Sequence, residues 1–274
     1  MEETMTELFN HKKKVLELRD KCAALSGECG RDTEQFIRDT SEVLSRSTPC
    51  LMFYGLYNAG KSSIINALTG EETAAVGDVP TTTQVQNINW NGFLIVDTPG
   101  LNAQTEHTLT ADSQIDKSDV VVFVTDDMNV DEKSFYYAFI NVLKKNKPTL
   151  IVINQKNADG PVEQSPNISI LREQIVANIR YAANEEGLKD VEHNKCFRGI
   201  IPVNAMTAWV ARNFPESAAR HMRAESNIDE LLKQMQSVLN ASNGVRMLIP
   251  ALDIIDSALN GLSADMKSGI KSDI

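Results

Sequence analysis

The stretch from Gly55 to Ser62 fits the pattern G-x-x-x-x-G-K-[ST], in which glycines, a lysine and a hydroxyl have fixed spacing. A short apolar run, 50–54, precedes it and predicts a buried strand, whereas 63–68 has the spacing of a helix. A loop between a strand and a helix directs free backbone N–H groups and the helix dipole at an anion. The pattern therefore predicts a nucleotide site, with Lys61 at the β- and γ-phosphates and the Ser62 hydroxyl on Mg²⁺. The predicted contacts in this stretch are Gly55, Asn58, Ala59, Gly60, Lys61, Ser62 and Ser63.

A second motif, Asp97-Thr98-Pro99-Gly100, ends a predicted strand at 93–97. An aspartate at this place can hold the hydration shell of Mg²⁺, and the Gly100 N–H can bond the γ-phosphate. Between the two motifs, Thr82 and then Thr81 are the candidates for a hydroxyl that completes the magnesium shell. A threonine run before a strand also occurs as a simple strand start. The predicted metal ligands are Ser62, Thr82 and Asp97.

Recognition of the base is predicted at the end of a third strand, 148–154. A usual guanine reader is Asn-Lys-x-Asp, but here the lysine is displaced by one position and Asn157 stands where the carboxylate is expected. An amide there would set a donor against a donor of guanine, at a cost of about 1–3 kcal/mol. Asp159 can replace it if the loop bulges by two residues. A later strand, 197–203, leads to a backbone N–H that can reach the base oxygen. The predicted base contacts are Asn154, Lys156, Asp159, Asn204 and Ala205.

The composition excludes some classes of ligand and site. The 274 residues carry a formal net charge of −10, which disfavours nucleic acid or anionic lipid as a ligand of the whole surface. No secretory signal and no run of about 18 apolar residues is present. The four cysteines lack paired metal spacing, which indicates reduced thiols. We therefore expect a cytoplasmic protein that does not bind nucleic acid.

The order of apolar runs predicts three segments: a helical segment at 1–48, an α/β domain at 49–243 and a helix at 244–274. Within the α/β domain, alternating strands and helices indicate a doubly wound, mostly parallel sheet with ligand loops at the carboxyl ends of its strands. The strand candidates are 50–55, 84–90, 93–97, 119–125, 148–154 and 197–203. The helix candidates are 2–25, 31–46, 61–69, 131–146, 168–187, 205–213 and 226–241.

The last segment carries an apolar seam at steps of four and three, typical of one face of a long helix. The first helix has a similar stripe, so we expect the terminal helices to form a small bundle or stalk that flanks the α/β domain. The seam either pairs with a helix of another chain or belongs to a longer protein, and the second interpretation is favoured. Its residues are Leu248, Leu252, Ile255, Leu259, Leu262, Met266 and Ile270.

Three of these stretches together resemble the bacterial dynamin-like large GTPases and, more broadly, the Era and TrmE class of P-loop GTPases. They are GLYNAGKSSIINAL at 55–68, Pro80-Thr81-Thr82 and DTPGLN at 97–102. The resemblance implies an α/β P-loop GTPase fold that binds GTP and GDP with Mg²⁺. It also implies hydrolysis of GTP and a homodimer formed through the nucleotide face. Membrane remodelling, and with it a peripheral membrane location, is implied by the resemblance only.

One substitution relative to small Ras-like GTPases affects the expected mechanism. Leu101 follows the second motif where those proteins place a water-orienting glutamine, and leucine cannot polarise water. In the resembling class, the residue that matches Asn58 helps hold a monovalent cation over the phosphates. The resemblance thus implies K⁺ or Na⁺ at Asn58 and slow hydrolysis unless the protein dimerises or binds the cation. Alternatively, Asn58 is only a turn residue. The expected catalytic residues are Lys61, Asn58 and Thr82.

Two other functions remain open. One is an Era-like GTPase that associates with RNA or ribosomes, although such proteins normally carry a basic RNA-binding module. The other is a nucleotide-dependent scaffold that hydrolyses little GTP, an interpretation supported by Leu101 and the irregular sequence at 154–159.

Overall fold

A computed structural model of the chain describes residues 2–46, 48–72, 74, 85–101, 113–156, 158, 160–240 and 248–272. The chain divides into two compact units. The α/β unit is Cys50–Leu239, and the helical unit combines Met1–Pro49 with Asn240–Ile274. Each unit has its own cluster of buried apolar side chains.

The α/β unit is built on a six-stranded sheet with the order β2-β3-β1-β4-β5-β6. β2 runs antiparallel to β3, and the other neighbours are parallel. β1, β4 and β5 are buried along their whole length, which explains their continuous apolar sequences. The predicted fold class is thereby confirmed. The strands are β1 Cys50–Gly55, β2 Gln86–Trp90, β3 Phe93–Asp97, β4 Val120–Asp126, β5 Thr149–Asn154 and β6 Phe197–Val203.

The helices largely follow the predicted positions, with one addition. They are α1 Glu2–Glu28, α2 Glu34–Ser45, α3 Lys61–Thr69, α4 Lys133–Lys144, α5 Ile168–Glu185, α6 Ala205–Ala211, α7 Glu216–Ser226, α8 Ile228–Asn240 and α9 Ile249–Ser272. The sequence pattern did not predict α7, because its exposed residues form no apolar stripe of helical period. It begins after Pro215 and ends at Asn227, whose φ of 59° is left-handed.

An aromatic cluster holds the centre of the sheet against α4. The Phe123 ring on β4 makes edge contacts with Tyr54, Phe135 and Phe139, with ring centroids 5.2, 5.4 and 5.6 Å apart. Such pairs add specific geometry to apolar burial. The strands that end at the candidate site therefore rest on a densely packed core.

The helical unit packs α9 against α1 and α2 through apolar side chains that include Val15, Cys22, Val43 and Ala251. Of the predicted seam, Leu248, Ile255 and Leu262 are buried, whereas Leu252 and Leu259 are exposed. The side chains of Met266 and Ile270 lie outside the described residues. Within the part of the chain that the structure describes, no helix has the length and apolar character needed to cross a bilayer.

Candidate functional site

The loop between β1 and α3 has a backbone that requires its two glycines. Gly55 has a φ of 139°, and a Cβ there would overlap the carbonyl oxygen of Val124 on β4. Gly60 has a φ of 93°, and its Cβ would overlap the side-chain nitrogen of Asn154. Between them, Asn58 adopts the left-handed region at φ 59°. The glycine pattern seen in the sequence is thus a consequence of close packing against β4 and β5.

Lys61, the first residue of α3, is buried and lies against the loop. Its ammonium group donates to the Leu56 carbonyl at 2.9 Å and to the Gly55 carbonyl at 3.4 Å. Burial lowers the pKa of Lys61 to about 8, and the nearby Asp97 carboxylate partly opposes that shift. A phosphate group would supply negative charge to this buried ammonium, so the arrangement favours an anionic ligand.

Ser62 and Asp97 meet at the carboxyl ends of β1 and β3. The register pairs Phe53 with Asp97, and the Ser62 hydroxyl donates to Asp97 Oδ2 at 2.7 Å. Asp97 is fully buried, and its Oδ1 has no hydrogen-bond partner among the described residues. Burial raises the pKa of Asp97, while the hydrogen bond from Ser62 and the charge of Lys61 oppose the rise. A hydroxyl beside a carboxylate with an unused oxygen suits Mg²⁺, which binds oxygen ligands and completes its shell with water and phosphate.

The segment after Asp97 is hydrogen-bonded to the phosphate loop, residues 55–62, which joins β1 to α3. The Leu101 N–H donates to the Gly55 carbonyl at 2.8 Å, and the Tyr57 N–H donates to the Leu101 carbonyl at 3.3 Å. A Cβ on Gly100 would lie 2.5 Å from the Cα of Tyr57. Gly100 thus lies beside the loop, and its contact with the γ-phosphate stays a prediction. The two predicted threonines, Thr81 and Thr82, lie outside the described residues.

Asn154 links three parts of the site. Its Nδ2 donates to the Ala59 carbonyl at 3.0 Å, and its Oδ1 accepts from the Ala205 N–H at 3.2 Å. Asn204 begins α6 and caps it, because its Oδ1 accepts from the Thr207 N–H at 2.9 Å. Both amide atoms of Asn154 are therefore engaged in holding the phosphate loop to α6, and its contact with a base stays a prediction.

Lys156 makes a contact that the sequence did not indicate. Its ammonium donates to the Asn58 carbonyl at 2.7 Å and to Asp126 Oδ2 at 2.8 Å. Asp126 is buried at the end of β4, so the pair joins β4 to the phosphate loop. Asp126 ends a buried strand, as Asp97 does, and this position was the sequence signal that could have pointed to Asp126 as a site residue. Asp159 lies outside the described residues.

A cavity of about 620 Å³ opens beside the phosphate loop, a size typical of small-molecule sites. Four predicted nucleotide contacts line it: Ser63, Asn154, Lys156 and Ala205. The other five lining residues have no assigned role in a sequence motif and were not predicted. The described lining consists of Ser63, Asn66, Glu72, Ala74, Asn154, Lys156, Ala205, Met206 and Trp209.

The comparison with known families agrees with this geometry. Residues 50–155 match the family described as 50S ribosome-binding GTPase. The α/β unit has the fold of a P-loop GTPase. That match covers the phosphate loop (the P-loop), the Asp97 motif and the strand that ends at Asn154.

Individual relatives resemble different parts of the chain. A tRNA modification GTPase MnmE from Francisella philomiragia subsp. philomiragia is 27% identical over 246 residues, which cover 80% of this chain and 49% of that protein. A solved structure of an oligomerised bacterial dynamin pair superposes with a TM-score of 0.57 and 15% identity, over 98% of this chain and 58% of that one. The LeoA bacterial dynamin GTPase from ETEC gives a TM-score of 0.51 and 17% identity, over 96% of this chain and 48% of that one. This chain therefore spans about half the length of the curated relatives it matches.

Proposed function

We propose that this chain binds GTP and GDP with Mg²⁺ and hydrolyses GTP to GDP and phosphate. The supporting observation is the arrangement of Lys61, Ser62 and Asp97 around the P-loop, beside a cavity large enough for a nucleoside. In the proposed complex, the P-loop N–H groups and Lys61 bind the β- and γ-phosphates. The Gly100 N–H contacts the γ-phosphate.

Ser62, Asp97 and, by prediction, Thr82 would hold the magnesium ion, which neutralises charge on the phosphates. The unpartnered Oδ1 of Asp97 is the atom that supports this assignment. Hydrolysis forms a bond between water and the γ-phosphorus and breaks the bond to the bridging oxygen. The chain's contribution is to position the phosphates and stabilise their charge.

The apolar side chain of Leu101 cannot orient the attacking water, so another group has to do so. We assign this role to K⁺ or Na⁺ held by Asn58 and ordered by a second copy of the chain across the nucleotide face. Exposed apolar side chains around the site support the second copy of the chain. Met128 is 78% exposed and Met206 is 64% exposed, and Tyr57 on the P-loop is also exposed.

Phosphate release under multiple turnover, measured in K⁺, Na⁺ or a large organic cation at several protein concentrations, tests both assignments. We expect rates at least about tenfold higher with K⁺ or Na⁺, a gain of about 1.4 kcal/mol in transition-state stabilisation. Asn58→Gly keeps the left-handed backbone and should remove this stimulation. Asn146→Gly, at φ 55° outside the site, is the matched control. Equal rates in all cations would refute the cation role, and a rate per molecule independent of concentration would refute the dimer.

The preference for guanine is tested by calorimetric titration with GTP, GDP, XTP and ATP. We expect guanine nucleotides to bind at least about tenfold more tightly than ATP, since a polar reader rejects the wrong base strongly. Tighter binding of XTP than of GTP would contradict guanine specificity. No heat with any purine triphosphate, from folded protein, would refute the nucleotide site.

For the biological role, we favour a dynamin-like protein that assembles in a nucleotide-dependent way and acts at membranes from the cytoplasm. The alignments with the two bacterial dynamin structures cover 96% and 98% of this chain, which supports this choice. The exposed Leu252 and Leu259 on α9 support a partner helix for the seam. Sedimentation with liposomes, in the presence of GDP or a non-hydrolysable GTP analogue, is the test. Absence of the protein from the liposome pellet in both states would count against it.

A role in tRNA modification or ribosome association is the second candidate, because a curated relative is named as a tRNA modification GTPase and the matching family is described as 50S ribosome-binding GTPase. Its test is retention of the chain on tRNA or on ribosomes at moderate salt, with GTP analogue or GDP bound. Nucleotide-dependent retention there, without binding to liposomes, would favour this candidate over the first.

A further inference from the structure

Trp209 on α6 forms part of the wall of the 620 Å³ cavity, and Arg212 covers the face of its ring. The Arg212 guanidinium carbon lies 3.2 Å from the ring centroid. Residues three apart on a helix share a face, and a guanidinium over an indole is attracted by the ring electrons. Arg212 is not among the described residues that line the cavity, but it contacts Trp209, which is.

Arg212 also contacts the loop that follows α3. Its Nη1 donates to the Gly70 carbonyl at 3.2 Å, and its Nη2 lies 3.9 Å from a carboxylate oxygen of Glu72. The same loop is fixed further along, because Asn66 Nδ2 donates to the Ala74 carbonyl at 2.9 Å and Asn66 Oδ1 accepts from the Ala74 N–H at 2.8 Å. Since Glu72 and Ala74 both line the cavity, Arg212 joins two of its walls.

We propose that Trp209 and Arg212 set the affinity of this site for the nucleoside part of the ligand. Trp209 contacts the purine base with its apolar ring, and Arg212 is a positioning residue that holds both the ring and the loop of Glu72. This inference rests on the proposed nucleotide-binding function. In the proposed complex, Lys61 and Ser62 contact the phosphates. Trp209 and Arg212, the wall of the cavity, therefore act only on the nucleoside part of the ligand. A ligand that consists of phosphates alone should not sense Trp209.

The first experiment uses the full chain with Trp90→Phe. Since the sequence has two tryptophans, this substitution leaves Trp209 as the source of tryptophan emission. It is titrated with GDP and Mg²⁺ and, separately, with pyrophosphate and Mg²⁺, while calorimetry records binding. GDP should change the Trp209 emission until the site is saturated, and pyrophosphate should leave the emission unchanged. Unchanged emission at GDP concentrations that saturate the calorimetric signal would overturn the proposal.

The second experiment compares variants in the otherwise natural chain. Trp209→Ala should raise the Kd for GDP about tenfold, equivalent to about 1.4 kcal/mol, whereas Trp209→Phe should retain most of the affinity. Arg212→Gln should raise it about threefold, because the ring is kept but is no longer held. None of them should change the affinity for pyrophosphate. Arg220→Gln is the matched control, since that arginine pairs with Glu216 on α7 at 2.8 Å and is not among the described lining residues.

The outcomes separate this inference from the proposed function. If GDP gives no heat with the unaltered chain, the nucleotide-binding function fails. If GDP binds the unaltered chain and the Trp209→Ala and Arg212→Gln chains equally well, only the role of the wall fails. Equal losses for GDP and pyrophosphate would also overturn it, because they would show an effect on the P-loop instead of the base.

Discussion

The Ser62 hydroxyl donates to Asp97 Oδ2 at 2.7 Å and so joins the first turn of α3 to the end of β3. The two residues are 35 positions apart in the chain, and parallel pairing of β1 with β3 brings them together. The other oxygen of the same carboxylate is buried without a partner among the described residues. A buried carboxylate with one unused oxygen is costly to keep charged unless a cation is near. This pair is therefore the part of the site where we expect a magnesium ion to bind.

Replacing Asp97 by asparagine should separate magnesium binding from folding. Burial raises the pKa of Asp97, so its ionised form lowers stability at neutral pH, and a neutral amide relieves that cost. We expect Asp97→Asn to melt no lower than the unaltered chain without nucleotide. The gain in GTP affinity that Mg²⁺ provides should fall at least about tenfold, measured by calorimetry with and without Mg²⁺.

Asp229→Asn, at an exposed carboxylate on α8, provides the control for the loss of one negative charge. It should leave the magnesium effect unchanged. If Asp97→Asn kept the full magnesium effect, Asp97 would not be a ligand of the ion or its water shell.

The lowered pKa of Lys61, about 8, gives the binding reaction a defined pH dependence. The protonated ammonium binds the phosphates, so the affinity for GDP is complete below that pKa and falls as the pH rises through it. The limiting slope is about tenfold per pH unit between about pH 8 and 9. The stability of the chain without nucleotide depends on pH in the opposite direction. The unfolded chain binds more protons above pH 8, so this group makes stability rise with pH there.

Calorimetric titration with GDP at several pH values measures the slope, and urea unfolding at the same values measures stability. Lys61→Arg keeps its charge throughout this range and should flatten the pH dependence even if it binds less tightly. A GDP affinity that is constant from about pH 7 to 9 in the unaltered chain would disprove the role of the Lys61 charge.

Much of the fold could be predicted because its information is local. The continuous apolar runs of β1, β4 and β5 indicated strands buried on both faces, and the structure confirms a parallel arrangement of these strands. Parallel strands end at the same edge of the sheet, so motifs that follow strands were expected to meet there. The Ser62–Asp97 hydrogen bond is an example of such a meeting.

The parts of the site that escaped prediction depend on contacts between distant segments. The base contact of Lys156 stays a prediction, and its ammonium also contacts Asp126 and the Asn58 carbonyl, 98 positions away, which the sequence did not indicate. Trp209 and Arg212 carry no motif. Trp209 lines the cavity, and Arg212 donates to the Gly70 carbonyl, 142 positions away. Spacing along a sequence does not encode such pairings, because they arise from side-chain direction and loop path.

The glycine at position 60 should be less replaceable than a glycine with a similar backbone elsewhere. Gly60 and Gly187 both have positive φ, 93° and 69°, but only Gly60 has a neighbour where a Cβ would lie. Gly187→Ala should cost about 1–2 kcal/mol for the left-handed backbone. Gly60→Ala should cost about 1–3 kcal/mol more, because it displaces Asn154 from its hydrogen bonds. Urea unfolding followed by circular dichroism measures both, and equal costs would show that the packing of Gly60 against Asn154 is unimportant.

Asn154 provides the most direct test of how the P-loop is held. In Asn154→Ala, the buried Ala59 carbonyl and Ala205 N–H lose their partner, at about 1–3 kcal/mol each. Because both groups belong to the nucleotide site, part of this cost should appear as weaker GDP binding, by about tenfold or more. Urea unfolding and calorimetry on the same protein measure the two parts.

Asn178→Ala is the matched control, since Asn178 also donates its amide to a backbone carbonyl, that of Val130 at 3.1 Å, but is not among the residues that line the described cavity. It should lower the free energy of unfolding and leave the Kd for GDP unchanged. Asn154→Ala should lower both stability and affinity, because the Ala59 carbonyl it holds lies within the P-loop. If both variants lost only stability, Asn154 would support the sheet without positioning the loop that receives the phosphates.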